Sequence, residues 1–555
     1  MCQKYFTVSL PLRGVFEAID NLVNQLHYAG VKNVVVCPGS RNAPLSISFT
    51  RSGLFSIDAI PDERSAGFVA MGRAIRSESP VALLCTSGSA LTNFYPAVVE
   101  AFYQRVPLIV ISADRPAALI DRWDGQTIRQ EALFGSHVKA SLTTPEDYGN
   151  PEVFGEIAAQ AVQRALSAIP GPVHINVPLQ EPLYPSADRP FAKQPSLVPS
   201  VSSENQQVQF PDLTGKKVFV LRGFSLKQGR KADAYPAQYA DLMSGFAESP
   251  VPEQLFMLDN AALKEAMQAD VLLSDGAAVL PKALKAFLRN HPPKEHYHFS
   301  EQGDVADPFF TSPQRIPASL DEFLAKEQVN WNTDYAQAWT RWSDEMNQHL
   351  AKFWEDQPYG EFTATRSFLN TLEDNSVLHV ANSMPVRYAS FSRARAERVY
   401  CNRGTSGIDG CVSTAVGMAA SDTKTHFLLI GDVAFFYDSN ALWNHIAKSN
   451  LKIVLQNNGG GGIFRLIDGP AKQPELELVF ETAHSRNAEA LCANLGCAYI
   501  RAENEEELES GLASLHAQEG PVVMEVFTNK LENQSFFNQY KQYIHAVKIS
   551  LGNPS

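Results

Sequence analysis

The sequence predicts an α/β protein of three domains, each built on a mainly parallel β-sheet flanked by helices. Three observations predict this class. Short apolar runs typical of buried strands alternate with helical stretches. The length of 555 residues exceeds the roughly 250–300 residues that one hydrophobic core supports. The pattern of the first third of the chain also recurs in the last third. We therefore expect three sheets, each covered by helices.

The composition is that of an ordinary globular protein and excludes several classes. Hydrophobic residues make up 45% and charged residues 19%, which argues against disorder, collagen and coiled coil. A net charge of −13 argues against nucleic acid or an anionic membrane as the main partner. No apolar run approaches the ~20 residues of a membrane helix, and the first residues lack a secretory signal. We expect a cytoplasmic protein.

The seven cysteines are odd in number and scattered along the chain. Most lie in apolar runs, such as those that contain Cys37 and Cys85. This pattern favours buried free thiols in a reducing compartment over disulfides or a zinc site.

The first third shows the clearest alternation of strands and helices. Its second helix carries a small-residue pattern, including Gly67 and Gly72, that suits close backbone packing. The predicted elements are, in order, a helix at 16–29, a strand at 33–37, a helix after Asp62, a strand at 81–85, a helix ending near 104, and strands at 108–112 and 173–177.

The rest of the chain predicts a linker and two further domains. A stretch rich in Pro, Ser and Gln at 185–211 is typical of a linker. Strands are predicted at 218–221 and 271–273, and the tryptophans of a helical stretch at 331–354 are expected to pack against neighbours. The predicted bounds are a first domain at 1–190, a linker at 191–210, a central domain at 211–345 and a last domain at 346–555.

The last third repeats the order of the first. Gly417 follows Gly72 by about 345 residues. After it come an apolar strand at 427–430, the turn Gly431-Asp432, a predicted helix at 440–447 and a strand at 452–455. Several elements in the same order at one offset indicate two domains of like architecture.

Polar residues follow two neighbouring strands of the last domain. Gly431-Asp432 follows one strand, and Asn457-Asn458-Gly459-Gly460 follows the next. In an open parallel sheet, ligands bind at the carboxyl ends of strands. A carboxylate, an amide oxygen and a backbone carbonyl would give Mg²⁺ three oxygen ligands while it carries a diphosphate, and glycines let backbone approach phosphate. Taken singly, both segments are also typical of simple turns.

Gly-Asp followed by Asn-Asn after about 25 residues resembles the cofactor motif of thiamine-diphosphate enzymes. The third motif position, often Gly in that family, is Val433 here, and its side chain is not a ligand. The resemblance implies thiamine diphosphate with Mg²⁺ (or Mn²⁺), bound through the side chains of Asp432 and Asn458. An alignment shifted by one residue would give the role of Asn458 to Asn457. The other implied cofactor or metal contacts are Gly431, the carbonyl of Gly460, Ile463 and Phe464.

The resemblance also implies a glutamate from the other α/β domain, usually that of a partner subunit. Glu63 matches it, and a carboxyl group at the pyrimidine ring nitrogen promotes the tautomer that activates the cofactor. The alternative is that Asp62 and Glu63 merely favour a helix N-terminus. Ile408 matches the apolar wedge that holds the cofactor bent. The first domain would bind the pyrimidine, the last the diphosphate and metal, in a homodimer or homotetramer with active sites at the subunit interface.

Several longer blocks are similar to the menaquinone-biosynthetic branch of this family, notably residues 36–45, 113–116, 126–130 and 402–410. That branch decarboxylates 2-oxoglutarate and adds the succinyl carbanion to isochorismate in 1,4 fashion. The two substrates carry four carboxylates, for which arginine is the preferred partner.

The residues that match this branch divide by implied role. Arg387 and Arg403 would hold the 2-oxoglutarate carboxylate, while Arg41, Arg115 and Lys282 would hold isochorismate. Lys282 is also explained as an ordinary helix start. Neutral hydrogen bonds would come from Ser40, Gln126 and Ser383. Glu63, Gln126, Arg387 and Arg403 would be catalytic, with Gln126 holding a water for the final protonation if the cofactor's own amine does not supply the proton.

Other functions fit the sequence less well. A simple 2-oxo acid decarboxylase or acetohydroxyacid synthase would not need the Ser-Arg-Asn and Asn-Arg-Gly blocks. A dinucleotide-binding protein would show Gly-x-Gly-x-x-Gly after a strand, which is not found. An inactive scaffold would not need Glu63, Asp432 and Asn458 together.

Overall fold

The computed structural model describes residues 12–551 except 194, 196–207, 228–234, 247, 302, 304, 327–330, 374, 393–395, 397 and 447. These residues form two compact units. The first takes in the described residues of Met1–Ser203, Asn402–Thr423 and Phe436–Ser449. The second takes in those of Glu204–Cys401, Lys424–Phe435 and Asn450–Ser555. Most of the predicted linker at 191–210 lies outside the described residues.

The strands of the described chain are all short and apolar or mixed in composition. In chain order they are β1 (Asn33–Val36), β2 (Ser56–Ala59), β3 (Val81–Cys85), β4 (Leu108–Asp114), β5 (Ser141–Thr143), β6 (Val173–Pro178), β7 (Val218–Arg222), β8 (Gln238–Ala240), β9 (Val271–Asp275), β10 (Glu295–Phe299), β11 (Gln314–Ile316), β12 (Val377–Val380), β13 (Arg398–Tyr400), β14 (His426–Gly431), β15 (Leu451–Asn457), β16 (Ala498–Ala502) and β17 (Val522–Phe527).

The α-helices range from one to about six turns. They are α1 (Leu12–Tyr28), α2 (Ala43–Ser52), α3 (Glu63–Ser77), α4 (Ser89–Asn93), α5 (Tyr95–Gln104), α6 (Pro151–Leu166), α7 (Ala261–Met267), α8 (Lys282–Asn290), α9 (Leu320–Lys326), α10 (Thr333–Phe353), α11 (Glu361–Asn370), α12 (Met384–Ser392), α13 (Cys411–Ala419), α14 (Asp432–Tyr437), α15 (Ile463–Leu466), α16 (Glu489–Leu495), α17 (Glu505–Ala517) and α18 (Lys530–Ala546).

The first unit is built on a parallel sheet of six strands in the order β2-β1-β3-β4-β6-β5. The strands β1, β3, β4 and β6 that the apolar runs predicted are confirmed. The helix predicted to end near 104 is two helices, α4 and α5, that meet at Phe94. Pro96 lies in the first turn of α5, where its missing N–H costs nothing, so a new helix begins there.

The second unit contains two parallel sheets. The first has the order β11-β10-β9-β7-β8, and the other has the order β13-β12-β14-β15-β17-β16. Numbered within its own part of the chain, this last sheet has the order 2-1-3-4-6-5, as does the sheet of the first unit. The predicted internal repeat is therefore confirmed, and so is the predicted α/β class with three mainly parallel sheets.

The prediction of a helix at 440–447 is wrong. The chain forms a short 3-10 helix at Ser439–Leu442, and residue 447 lies outside the described residues. Asn444 explains the early stop: its side chain donates to the carbonyl of Ala441 (2.8 Å) and accepts from the backbone N–H of Ile446 (3.1 Å). These bonds compete with the backbone pattern of an α-helix.

Aromatic side chains form much of the core of the second unit. Trp339 is fully buried, Trp331 and Trp342 are nearly so, and Trp339 meets Phe219 with ring centroids 5.1 Å apart. The helical stretch predicted at 331–354 is α10, and its tryptophans pack as predicted. The same core includes Tyr388 of α12.

Two expectations about the whole chain can be compared with the structure. Six of the seven cysteines are buried free thiols, as predicted, and Cys2 lies outside the described residues. Among the described helices, none combines the length and the apolar character needed to cross a membrane.

Candidate active site

Asp432 organises the glycine loop of the second unit. It begins α14 directly after β14 and is almost fully buried. Its Oδ1 accepts from the backbone N–H of Val433 (2.7 Å), and its Oδ2 accepts from the N–H groups of Gly459 and Gly460 (both 2.9 Å). The structure thus brings together two segments that the sequence predicted to form one site.

The electrostatics around Asp432 are those of a buried carboxylate beside a histidine. Burial raises the pKa of Asp432, while the nearby His484 ring and the three backbone N–H groups oppose that rise. The His484 Nε2 atom lies 3.5 Å from Asp432 Oδ2. No motif in the sequence marks His484, because a lone histidine in a loop carries no spacing signal.

The two neighbouring asparagines differ in what their side chains do. The amide nitrogen of Asn457 donates to Glu525 Oε1 (2.7 Å) and to the carbonyl of Arg486 (2.8 Å), and its Oδ1 accepts from the N–H of Gly459 (3.1 Å). The Oδ1 of Asn458 is buried and has no hydrogen-bond partner among the described residues. A buried acceptor without a partner is costly, so Asn458 is the better candidate ligand.

Glycine is required where this loop passes close to other backbone. Gly460 has φ +154°, and a Cβ there would lie 2.7 Å from the carbonyl oxygen of Glu481. Among the described residues, the carbonyl of Gly460 accepts one hydrogen bond, from the N–H of Gly462 (2.9 Å), and its second lone pair can bind another ligand. Ile463 and Phe464 begin α15 directly after this loop, and Gly431 ends β14.

Glu361 is a residue of this region that the sequence analysis missed. Both of its carboxyl oxygens lie 3.3 Å from the Nδ2 of Asn458. Burial, and then the charge of Asp432, raise the pKa of Glu361 to about 7, while the Asn458 hydrogen bond lowers it. No spacing pattern marks this residue, which stands alone at the start of α11.

The donor set of the second unit fits a hard divalent cation. The carboxylate of Asp432, the unpartnered Oδ1 of Asn458 and the free lone pair of Gly460 are oxygen donors of the kind that Mg²⁺ prefers.

In the first unit, Asp62 caps a helix, while the neighbouring Glu63 makes no capping bond. Asp62 is the N-cap of α3: its Oδ1 accepts from the backbone N–H of Ser65 (3.0 Å). Glu63 is the first residue of the helix, is only half-buried, and its one hydrogen bond within the described chain is a long one of 3.5 Å from Asn93. Both residues therefore stand at the start of the helix, as the alternative interpretation expected, and the capping bond made by Asp62 leaves the Glu63 carboxyl available.

The carboxyl of Glu63 lies near the ends of β1 and β3. Burial raises the pKa of the Cys37 and Cys85 thiols well above the ordinary value, and the charge of Glu63 adds to the rise at both. These two cysteines are therefore uncharged thiols.

A loop at 402–410 carries two predicted site residues, Arg403 and Ile408. Ile408 is 38% exposed, so its side chain is available for contact with a ligand. The loop is held by Glu100 of α5, a buried residue whose carboxylate accepts from the N–H groups of Gly404 (2.7 Å) and Thr405 (2.6 Å). Glu100 lies outside every motif of the sequence and was not predicted.

Arg41 and Arg115, two predicted isochorismate contacts, donate hydrogen bonds to backbone carbonyls of the first unit. Arg41 is buried and donates to the carbonyl of Leu179 (2.9 Å) and to Glu181 (3.3 Å). Arg115 donates to the carbonyl of Gly125 (2.7 Å), which fixes the loop that presents Gln126.

The other predicted substrate-binding residues differ in their exposure and in their hydrogen bonds. Gln126 and Ser40 are exposed in loops of the first unit. In the second unit, Arg387 donates to the carbonyl of Ser383, one turn earlier, and Ser383 has φ +78°. Lys282 is exposed and begins α8, as the alternative interpretation of this residue had it.

Comparison with known proteins identifies the class of enzyme. Three family profiles match the chain in order: the N-terminal TPP binding domain of thiamine pyrophosphate enzymes at residues 16–133, a middle domain of thiamine pyrophosphate at 237–380, and the C-terminal TPP binding domain of thiamine pyrophosphate enzymes at 382–526. The fold and these matches define a thiamine pyrophosphate (thiamine diphosphate) enzyme.

Full-length relatives identify the family within this class of enzymes. A protein of Cytophaga hutchinsonii is 38% identical over 96% of this chain and 100% of its own length. One of Bacteroides fragilis is 35% identical over 96% of this chain and 99% of its own, and one of Flavobacterium johnsoniae is 34% identical over 92% and 96%. Each is named 2-succinyl-5-enolpyruvyl-6-hydroxy-3-cyclohexene-1-carboxylate synthase. This chain belongs to that family of synthases, and the predicted resemblance is confirmed.

Proposed function

We propose that this chain catalyses the reaction after which its relatives are named. It decarboxylates 2-oxoglutarate and adds the resulting succinyl carbanion to isochorismate, giving 2-succinyl-5-enolpyruvyl-6-hydroxy-3-cyclohexene-1-carboxylate and CO₂ in menaquinone biosynthesis. The observation that carries this proposal is the oxygen donor set of Asp432, Asn458 and Gly460 in a chain of this family. When bound, thiamine diphosphate supplies an electron sink for the carbanion.

The second unit would hold the metal. Asp432 and Asn458 would bind Mg²⁺ (or Mn²⁺) through side-chain oxygens, and Gly460 through its carbonyl. Gly431, Ile463 and Phe464 border this donor set along the chain and would contact the cofactor. The oxygens of the diphosphate and of water would complete the octahedron that Mg²⁺ prefers.

Glu63 would share a proton with the ring nitrogen of the aminopyrimidine and so promote loss of the thiazolium C2 proton. Its half-buried carboxyl, free of the capping bond that Asp62 makes, supports this role. Ile408 would support the bent cofactor with its exposed side chain. In the proposed homodimer or homotetramer, the Glu63 of one subunit acts on cofactor bound to the metal site of another.

The cationic residues would hold the four substrate carboxylates. Arg387 and Arg403 would bind 2-oxoglutarate, and Arg41, Arg115 and Lys282 would bind isochorismate. Ser40, Gln126 and Ser383 would add neutral hydrogen bonds, and Gln126 would hold a water for the final protonation. We also propose that the enzyme is cytoplasmic.

The test is product formation from the full set of reactants. The protein should convert 2-oxoglutarate and isochorismate to a product of the expected mass when thiamine diphosphate and Mg²⁺ are present. Glu63→Gln should lower product formation and C2 hydrogen–deuterium exchange of the bound cofactor by orders of magnitude, because the amide cannot share the proton.

Glu152→Gln is the matched control, because Glu152 is an exposed acidic residue in the first turn of α6. It should behave like the unmodified chain. A free aldehyde as the main product would indicate a simple decarboxylase instead, and unchanged C2 exchange in Glu63→Gln would remove Glu63 from its role.

A further inference from the structure

Within the described part of the chain, the side-chain amide of Asn458 has one partner on its donor side, Glu361. Its Nδ2 lies 3.3 Å from each carboxyl oxygen of Glu361. Its Oδ1, on the other side of the amide, is buried and has no hydrogen-bond partner among the described residues. The amide is therefore held in an orientation that leaves its acceptor pointing away from Glu361.

An asparagine amide can present either end to a neighbour. Only the oxygen end can bind a metal, so a half-turn of the amide would replace a ligand with an N–H group that repels a cation. Both carboxyl oxygens of Glu361 lie at the Nδ2 end of the amide, and a carboxyl oxygen accepts hydrogen bonds, so Glu361 selects the donor end of Asn458. Groups that orient metal ligands in this way typically change metal affinity 10- to 100-fold when they are removed, on the order of magnitude seen in other metal sites.

Glu361 is itself held by two other elements. Asn533 of α18 donates from Nδ2 to Glu361 Oε2 (3.4 Å) and accepts from the Glu361 backbone N–H (3.0 Å). Gln456 of β15 donates to the Glu361 carbonyl (3.2 Å). The carboxyl is nine-tenths or more buried, so water does not compete for it.

We propose that Glu361 is a positioning residue for the metal site: it fixes the amide of Asn458 so that Oδ1 faces the cation. This inference rests on the metal ligands of the proposed function. It assigns no role to Glu361 in proton transfer and no contact with the cofactor.

The first experiment measures Mn²⁺ affinity in the presence of thiamine diphosphate, by the electron paramagnetic resonance signal of free Mn²⁺. Glu361→Ala should weaken Mn²⁺ binding about 10- to 100-fold. Glu525→Ala is the matched control, because Glu525 is a buried carboxylate that accepts from Asn457, the neighbouring asparagine. It should change Mn²⁺ affinity much less, even if it lowers thermal stability.

The second experiment reverses the hydrogen bond. In Glu361→Gln combined with Asn458→Asp, the glutamine amide donates to the aspartate, and the second aspartate oxygen faces the metal. The double variant should bind Mn²⁺ at least about 10-fold more tightly than Glu361→Ala combined with Asn458→Asp, which has no donor at position 361 to orient the aspartate. Equal affinities of the two double variants, or native affinity in Glu361→Ala, would overturn the proposal.

Asp432→Ala separates this inference from the metal assignment. If Asp432→Ala also binds Mn²⁺ as the unmodified chain does, the metal site itself is wrongly placed. If Asp432→Ala loses binding and the Glu361 variants keep it, the metal site stands and only the positioning role is lost. Far-ultraviolet circular dichroism of each variant checks that it is folded.

Discussion

Glu100 shows how one buried carboxyl group can set the geometry of a loop, here the loop at 402–410. Its two carboxyl oxygens accept from the N–H groups of Gly404 and Thr405 and from the Thr405 hydroxyl. Gln104, one turn further along α5, donates to the same carboxylate. A buried carboxylate is stable only when its hydrogen bonds are satisfied, and here the loop that carries Arg403 and Ile408 satisfies them.

Glu100→Gln should weaken the hydrogen bonds that hold this loop without creating a cavity, because glutamine and glutamate have nearly the same size. The glutamine amide has one acceptor oxygen, whereas the carboxylate has two. The N–H or O–H groups that face the NH₂ end of the glutamine lose their acceptor, and each charge-assisted hydrogen bond lost costs about 1.5–3 kcal/mol of stability. We expect the KM for 2-oxoglutarate to rise about 10-fold or more, because the loop would no longer hold Arg403, the proposed contact of this substrate, in place. Steady-state kinetics measure this change.

Glu156→Gln, an exposed glutamate on α6, provides the comparison for Glu100→Gln and should leave KM unchanged. Native values of both KM and kcat in Glu100→Gln would show that the loop keeps its shape without this carboxylate.

At the scale of elements, two helices of the first unit pack at backbone distance. A Cβ on Gly72 of α3 would lie 2.3 Å from the carbonyl oxygen of Thr414, and one on Gly417 of α13 would lie 2.2 Å from that of Val69. Each glycine thus faces the backbone of the other helix. The small-residue pattern of α3 predicted close packing, but the partner helix lies more than 300 residues away in the chain.

Gly72→Ala should destabilise the protein despite the higher helix propensity of alanine. The added methyl group meets backbone, which cannot rotate away, and overpacking of this kind costs typically about 1–3 kcal/mol. Thermal unfolding should begin at a clearly lower temperature.

Gly14→Ala is the matched substitution for Gly72→Ala, since Gly14 lies in α1 and its Cβ would meet only ordinary contacts, the nearest at 3.8 Å. It should leave thermal stability unchanged or slightly higher. Equal unfolding temperatures for the two variants would contradict the close packing of α3 and α13.

At the scale of the whole molecule, the chain contains one sheet topology twice. The sheets of β1–β6 and β12–β17 share the same strand order, and the proposed glutamate and metal ligands are divided between the two. Sharing of active sites between subunits remains a proposal, as do the domain bounds at 1–190, 211–345 and 346–555.

Mixing two inactive variants tests the shared site. Glu63→Gln and Asp432→Ala should each be inactive alone, but dimers that contain one chain of each have one site with both native residues. Random assortment should restore up to about one quarter of native activity, measured as product formation after co-expression.

A mixture of Glu63→Gln with Glu63→Ala is the control for complementation and should restore nothing. No recovery in the first mixture, with mixed dimers shown to form by mass spectrometry, would contradict active sites built from two subunits.

The sequence by itself determined the α/β class, the buried strands, the internal repeat and the family. Each of these depends on local periodicity or on short motifs such as Gly431-Asp432 and Asn457-Asn458, which are read along the chain. Only the tertiary structure decided that the Oδ1 of Asn458, unlike that of Asn457, has no hydrogen-bond partner among the described residues, and that Glu361 accepts from Asn458 while Glu100 holds the loop at 402–410. The physical reason is that a hydrogen bond between residues about 100 or 300 positions apart leaves no pattern in the sequence, because either partner alone is an ordinary polar side chain.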